Sequence, residues 1–106
     1  MKSQSSFYIS KSKNDYAKKL IDSGEFETMT DFLRYSMRLF SDSIRMTEEP
    51  IVIHENRTDT VKISFRADEF VIDNILSTGL MEKSVIAEQS IGYYMAWRDR
   101  FLDKDP

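Results

Sequence analysis

From Val61 to Arg66 the chain reads VKISFR, with Val61, Ile63 and Phe65 alternating with Lys62, Ser64 and Arg66. A period of two sends the two sets to opposite faces, so the spacing predicts a half-buried strand. The period then changes. Val71, Ile72, Ile75 and Leu76 recur at helical spacing behind Asp68, a residue type suited to an N-cap. Gly79 stands where a left-handed helix end belongs. A second helix is expected from Ser84 as its N-cap, with Ile86, Ala87, Ser90, Ile91, Tyr94 and Met95 inward, running past Trp97 to about Leu102.

The front of the chain repeats this order. Phe7 and Ile9 alternate with Ser6, Tyr8 and Ser10, which predicts a short strand. Ser12, with Asp15 three residues on, reads as a capping-box start. Tyr16, Ala17, Leu20 and Ile21 form the stripe of the helix that follows, and Gly24 ends it. Thr30 is the expected cap of the next helix, whose stripe is Phe32, Leu33, Ser36, Met37, Phe40 and Ile44. The halves superpose with offsets of 56 residues in the strand, 55 in the first helix and 54 in the second. The repeat is one of pattern, since few letters coincide beyond the Gly and one Ser.

A strand and two helices in roughly 45 residues cannot bury enough apolar surface to stand alone. The strand has two open edges, and the helices have an uncovered face. Pairing two copies satisfies both needs. The expected fold is therefore α+β, with two units in tandem forming an intramolecular pair: a two-stranded antiparallel ribbon over four helices. Residues 1–45 form the first unit and 60–106 the second. Between them MTEEPIVIHENRTD supplies an acidic linker over 46–59, with a short extended piece at Ile51–Ile53, long enough to span about 50 Å.

The stretches VKISFRADEF, ILSTG and KSVIAEQSIGYYM resemble simple repressors of the ribbon-helix-helix (MetJ/Arc-type) superfamily, and LIDSGEFETMTDFLRYSMRLF is similar to its antitoxin-type members. The resemblance covers residues 5–44 and 60–97. It implies a ribbon seated in the major groove of double-stranded DNA, with outward strand residues on base edges. By that resemblance the base readers would be Ser6, Tyr8 and Ser10 from one strand and Lys62, Ser64 and Arg66 from the other. The phosphate contacts would fall near Thr30 and Ser84, at the starts of the second helices, and on Lys11 and Lys13. Two unlike strands point to an asymmetric or direct-repeat site. Regulation of transcription is the expected role. The alternatives are an antitoxin or other protein-interaction module, and a relaxosome or architectural DNA-binding protein. Further self-association of the paired units is also an expectation.

Charge changes this picture only in part. The net charge of −3 opposes phosphate binding, yet residues 1–46 carry eight Lys/Arg against six Asp/Glu, while residues 47–60 carry one against four. Lys2, Lys11, Lys13, Lys18 and Lys19 face only Asp15 in the first twenty residues. With no Cys and a single His, His54, thiolate metal sites are excluded, and catalysis and a cofactor are not expected. No apolar run approaches the roughly 20 residues of a membrane span, nor is there an apolar segment of secretory type. The expected setting is the cytoplasm.

Overall fold

A computed structural model of the chain describes residues 5–46, 59–79 and 81–101. It has an α+β arrangement in the order β1 (Ser5–Ser10), α1 (Lys11–Asp22), α2 (Met29–Met46), β2 (Thr60–Phe65), α3 (Glu69–Leu76), a 3-10 turn (Lys83–Val85) and α4 (Ile86–Phe101). Strand–helix–helix thus occurs twice. β1 and β2 pair antiparallel, with Ser5 opposite Phe65, Phe7 opposite Ile63 and Ile9 opposite Val61. No helix among the described residues is long and apolar enough to cross a membrane.

The alternation read from the strands decides which face is buried. Phe7 and Ile9 have no exposed surface, Phe65 is buried, and Val61 and Ile63 are half-buried against the same core. The rings of Phe7 and Phe65 lie 5.2 Å apart, joining the strands beneath the ribbon. α2 packs chiefly on α4, through Phe32, Leu33, Met37 and Phe40 on one side and Ile86, Ala87, Ile91 and Tyr94 on the other. Phe32 meets Tyr94 edge-on at 5.2 Å, the geometry that opposes a positive ring edge to a negative ring face. Burial pushes the Tyr94 phenol above its ordinary pKa, although the neighbouring Arg98 pulls the other way. Met95, expected inward, is exposed on α4.

Helix ends correct several expectations. Ser10, not Ser12, caps α1: its hydroxyl accepts from the Lys13 N–H at 3.3 Å, so the helix begins directly where the strand stops. Asp15 is exposed one turn into the helix and takes no part in a capping box. Thr28, not Thr30, caps the start of α2, accepting from the Asp31 N–H at 3.1 Å. Ser84 lies inside the 3-10 turn ahead of α4 rather than at an N-cap. Asp68 does cap α3, accepting from the Phe70 N–H at 2.9 Å. Gly24 (φ +86°) and Gly79 (φ +71°) adopt the left-handed conformation that ends α1 and shapes the turn after α3. After Gly24, the Glu25 N–H returns to the Leu20 carbonyl at 3.0 Å and so satisfies an end-of-helix acceptor. The expected linker, with Ile51–Ile53 and His54, lies outside the described residues except for its ends, as does Leu102.

Ser36 and Ser90 lie on the buried faces of α2 and α4 with no exposed surface. The Ser90 hydroxyl donates to the Ile86 carbonyl at 2.7 Å, whereas Ser36 Oγ is buried with no hydrogen-bond partner among the described residues. An unsatisfied buried hydroxyl costs about 1–3 kcal/mol. Ser36→Ala is therefore expected to stabilise the protein by about 1 kcal/mol, and Ser90→Ala to leave it nearly unchanged. Denaturant midpoints of the two variants compare them directly, and a lowered midpoint for Ser36→Ala would contradict the assignment.

Candidate nucleic-acid interface

Burying Phe7, Ile9 and Phe65 sends the intervening side chains to the opposite face of the ribbon. Ser6, Tyr8, Lys62 and Ser64 are all exposed there. The register sets Ser6 against Ser64 and Tyr8 against Lys62. The Ser6 and Ser64 hydroxyls share a hydrogen bond of 3.1 Å. Tyr8 is 41% exposed, a large fraction for an aromatic residue at the middle of a strand. Six paired residues make a ribbon roughly 20 Å long, comparable with about six base-pair steps. Arg66 follows β2 directly and is exposed at one end of the ribbon; Lys11 follows β1 and is exposed at the other. The Lys11 N–H bonds the Asp59 carbonyl at 3.1 Å, extending the ladder by one step.

Two expected contacts are withdrawn from this face. The Ser10 hydroxyl is committed to capping α1 and approaches Ser12 Oγ at 3.2 Å, while the Ser10 N–H donates to Glu88 Oε1 at 2.6 Å. Lys13 is 5% exposed, and its ammonium donates to Glu88 Oε2 at 2.7 Å. A buried ammonium needs such a partner, because removing it from water is costly. It cannot also reach a phosphate. Thr30 is half-buried in the first turn of α2, beside Asp31, and Ser84 is half-buried in its 3-10 turn beside exposed Lys83. The acidic first turn of α2 opposes an anion there.

Sequence reasoning missed Arg34. Its Nε donates to the Arg66 carbonyl at 2.8 Å, so α2 braces the end of β2. Glu88 of α4 does the corresponding service at the end of β1 through the Ser10 N–H. Arg34 and Glu88 stand 54 residues apart, the offset of the second helices, and this spacing was the one signal in the chain that related them. Arg34, Arg38 and Arg45 are exposed along α2, and their side chains make no ion pair among the described residues. Comparison with family models, with curated proteins and with solved structures returns no match.

Proposed function

We propose that the chain is a single-chain pair of ribbon-helix-helix units that binds duplex DNA by laying β1 and β2 in the major groove, as a sequence-specific regulator. The observation that carries this reading is the two-sided ribbon: an apolar inner face on the core and a polar outer face of Ser6, Tyr8, Lys62 and Ser64, with a cation just past each end. A groove about 12 Å wide admits a two-stranded ribbon. The core is built from the opposite face of the ribbon, so it does not fix the chemistry of Lys62 or Ser64.

The two-unit reading has a second support. With the strand offset of 56, the Phe7–Ile63 pair falls at the centre of an approximate two-fold axis, which exchanges the flanking pairs. The same operation relates Ser10 to Arg66 and Glu88 to Arg34, and each helix residue of the second pair does bond the strand end of the first. The bond types differ, a carboxylate on an N–H in one case and a guanidinium on a carbonyl in the other. Their placement is the same.

Arg66 is the best-suited base reader, because a guanidinium matches the two acceptors of guanine, a contact worth roughly 1–3 kcal/mol of discrimination. Arg66→Ala is expected to leave the unfolding transition in place, since the bond that Arg34 makes to this residue runs to its carbonyl. Its preference for a selected site over random duplex is expected to fall at least about tenfold. Tyr8→Ala is expected to lose less. Binding is expected to weaken steeply with added salt. Selection of a preferred site from random duplex, followed by competition binding of the variants, tests the proposal. A wild-type chain with no affinity for duplex at low salt would overturn it and favour a protein-interaction role such as that of an antitoxin. A relaxosome or architectural role uses the same surface, and the preferred site would distinguish it from regulation.

A further inference from the structure

We infer that the chain self-associates through its α2–α3 face, Phe70 of one copy seating beside α3 of a second and the contact being returned about a two-fold axis. Phe70 is 87% exposed in the first turn of α3. The residue at the matching position of α1, 55 residues earlier, is exposed Asp15. The fold therefore accepts a charge at this position, and the ring is not there for the chain's own core. Phe70 forms a ridge between two grooves, one running towards Arg34 and Arg66 and the other towards Arg45 and Asn74. Next to it a cavity of about 320 Å³ opens on Tyr35, Met37, Ala67 and Val71, with Arg34, Arg38 and Asp68 also in its wall. A closed apolar cavity of about 150 Å³ already accepts benzene, so the volume here has room for a phenyl ring between the apolar side chains.

The cavity has an identifiable cause. At the matching positions of the first half stand Lys13 and Tyr16, and that seam is closed: Lys13 is buried on Glu88, and Tyr16 packs against Phe32 and Tyr94. In the second half Asp68 and Val71 take those places. Both are shorter, and Asp68 turns back to cap α3. Part of the volume that the Lys13 chain and the Tyr16 ring fill in the first half is left open against α2, and the exposed ring stands at its edge.

Charge selects the occupant. Arg38 and Arg45 line the α2 side of the groove with Asp42 between them, Asp68 and Asp73 line the α3 side, and Glu69 lies beside Phe70 in the other groove; none of the six forms an ion pair among the described residues. A polyanion or an acidic peptide would meet Asp73 and Glu69 as well as the arginines. A second copy turned through a two-fold axis can set the arginines of one against the carboxylates of the other, because knob, hole and both signs of charge lie on one patch.

Sedimentation equilibrium of the full chain without DNA, from micromolar to near-millimolar concentration, tests this independently of the DNA reading. The expected result is a rise from 12.5 kDa towards twice that mass. Phe70→Asp, which copies the Asp15 position, is expected to move the association midpoint up at least tenfold with the unfolding transition unchanged. Val71→Tyr, which fills the cavity as Tyr16 fills its counterpart, is expected to do the same; should it misfold, the surface variant Phe70→Asp decides. A wild-type chain that stays at 12.5 kDa throughout overturns the inference, and so does a dimer indifferent to Phe70→Asp. A monomer in which Phe70→Asp lowers DNA affinity instead would assign the face to nucleic acid.

Discussion

Expressed alone, residues 1–46 are expected to show no folded monomer. β1 would lose its only hydrogen-bonded neighbour among the described residues. Phe7 and Ile9, fully buried in the intact chain, would lose Phe65, and α2 would lose α4, the helix it packs on most. Each large side chain returned to water costs roughly 1.5–3 kcal/mol, so several of them together are comparable with the about 5–15 kcal/mol by which a domain is stable. Residues 60–106 alone face the same deficit through Phe65, Ile86 and Ile91. Circular dichroism and sedimentation of each half should report an unfolded chain or a self-associated one. Mixing the halves should restore helical signal in a concentration-dependent way, since the covalent link that supplies an effective concentration of order millimolar has been cut. A folded monomeric half with a cooperative transition would refute a shared core.

Glu88→Ala is expected to destabilise the chain by about 3–5 kcal/mol. The carboxylate serves two groups at once, the buried Lys13 ammonium and the Ser10 N–H at the end of β1. Truncation leaves an uncompensated charge where water does not reach, and leaves the strand-to-helix junction without an acceptor. The sharper form of the test uses both partners. Replacing the pair by Lys13→Met with Glu88→Leu should recover part of the loss, because an apolar pair of similar size avoids desolvating either ion, while the Ser10 N–H stays without its acceptor. Denaturant midpoints of the two single variants and the double variant give the coupling. If Glu88→Ala costs less than about 1 kcal/mol, the pair behaves as a surface ion pair, and its buried description is wrong.

The strands were legible because apolar and polar letters alternate without a break through SFYIS and VKISF, and only one register buries Phe7, Ile9 and Phe65 together. Gly24 and Gly79 were legible because few other residues accept a positive φ. The caps were less so. Ser10 and Ser12, and likewise Thr28 and Thr30, are chemically equal candidates two residues apart, and the choice depends on where the preceding strand or turn ends. Lys13 could not be read correctly from one segment, since a lysine in a polar run is outward by default and its partner lies 75 residues away. The outer face of the ribbon was legible from the same alternation that placed the core. The Arg34 brace and the cavity beside Phe70 were not, because both depend on how helices from the two halves meet.

The two strand ends are held by opposite chemistry, Glu88 on the Ser10 amide and Arg34 on the Arg66 carbonyl. In an assembly of two identical chains every substitution is made twice. Exchanging an acid for a base at such a position would load both ends with the same fault before any remedy arrived. In this chain a change at 88 is felt once, at one end, while the other end keeps its brace and carries the fold through the intermediate. Each end can therefore be rewritten on its own, so a substitution chosen to alter Arg34 or Asp68 need not be balanced by one at Glu88 or Lys13.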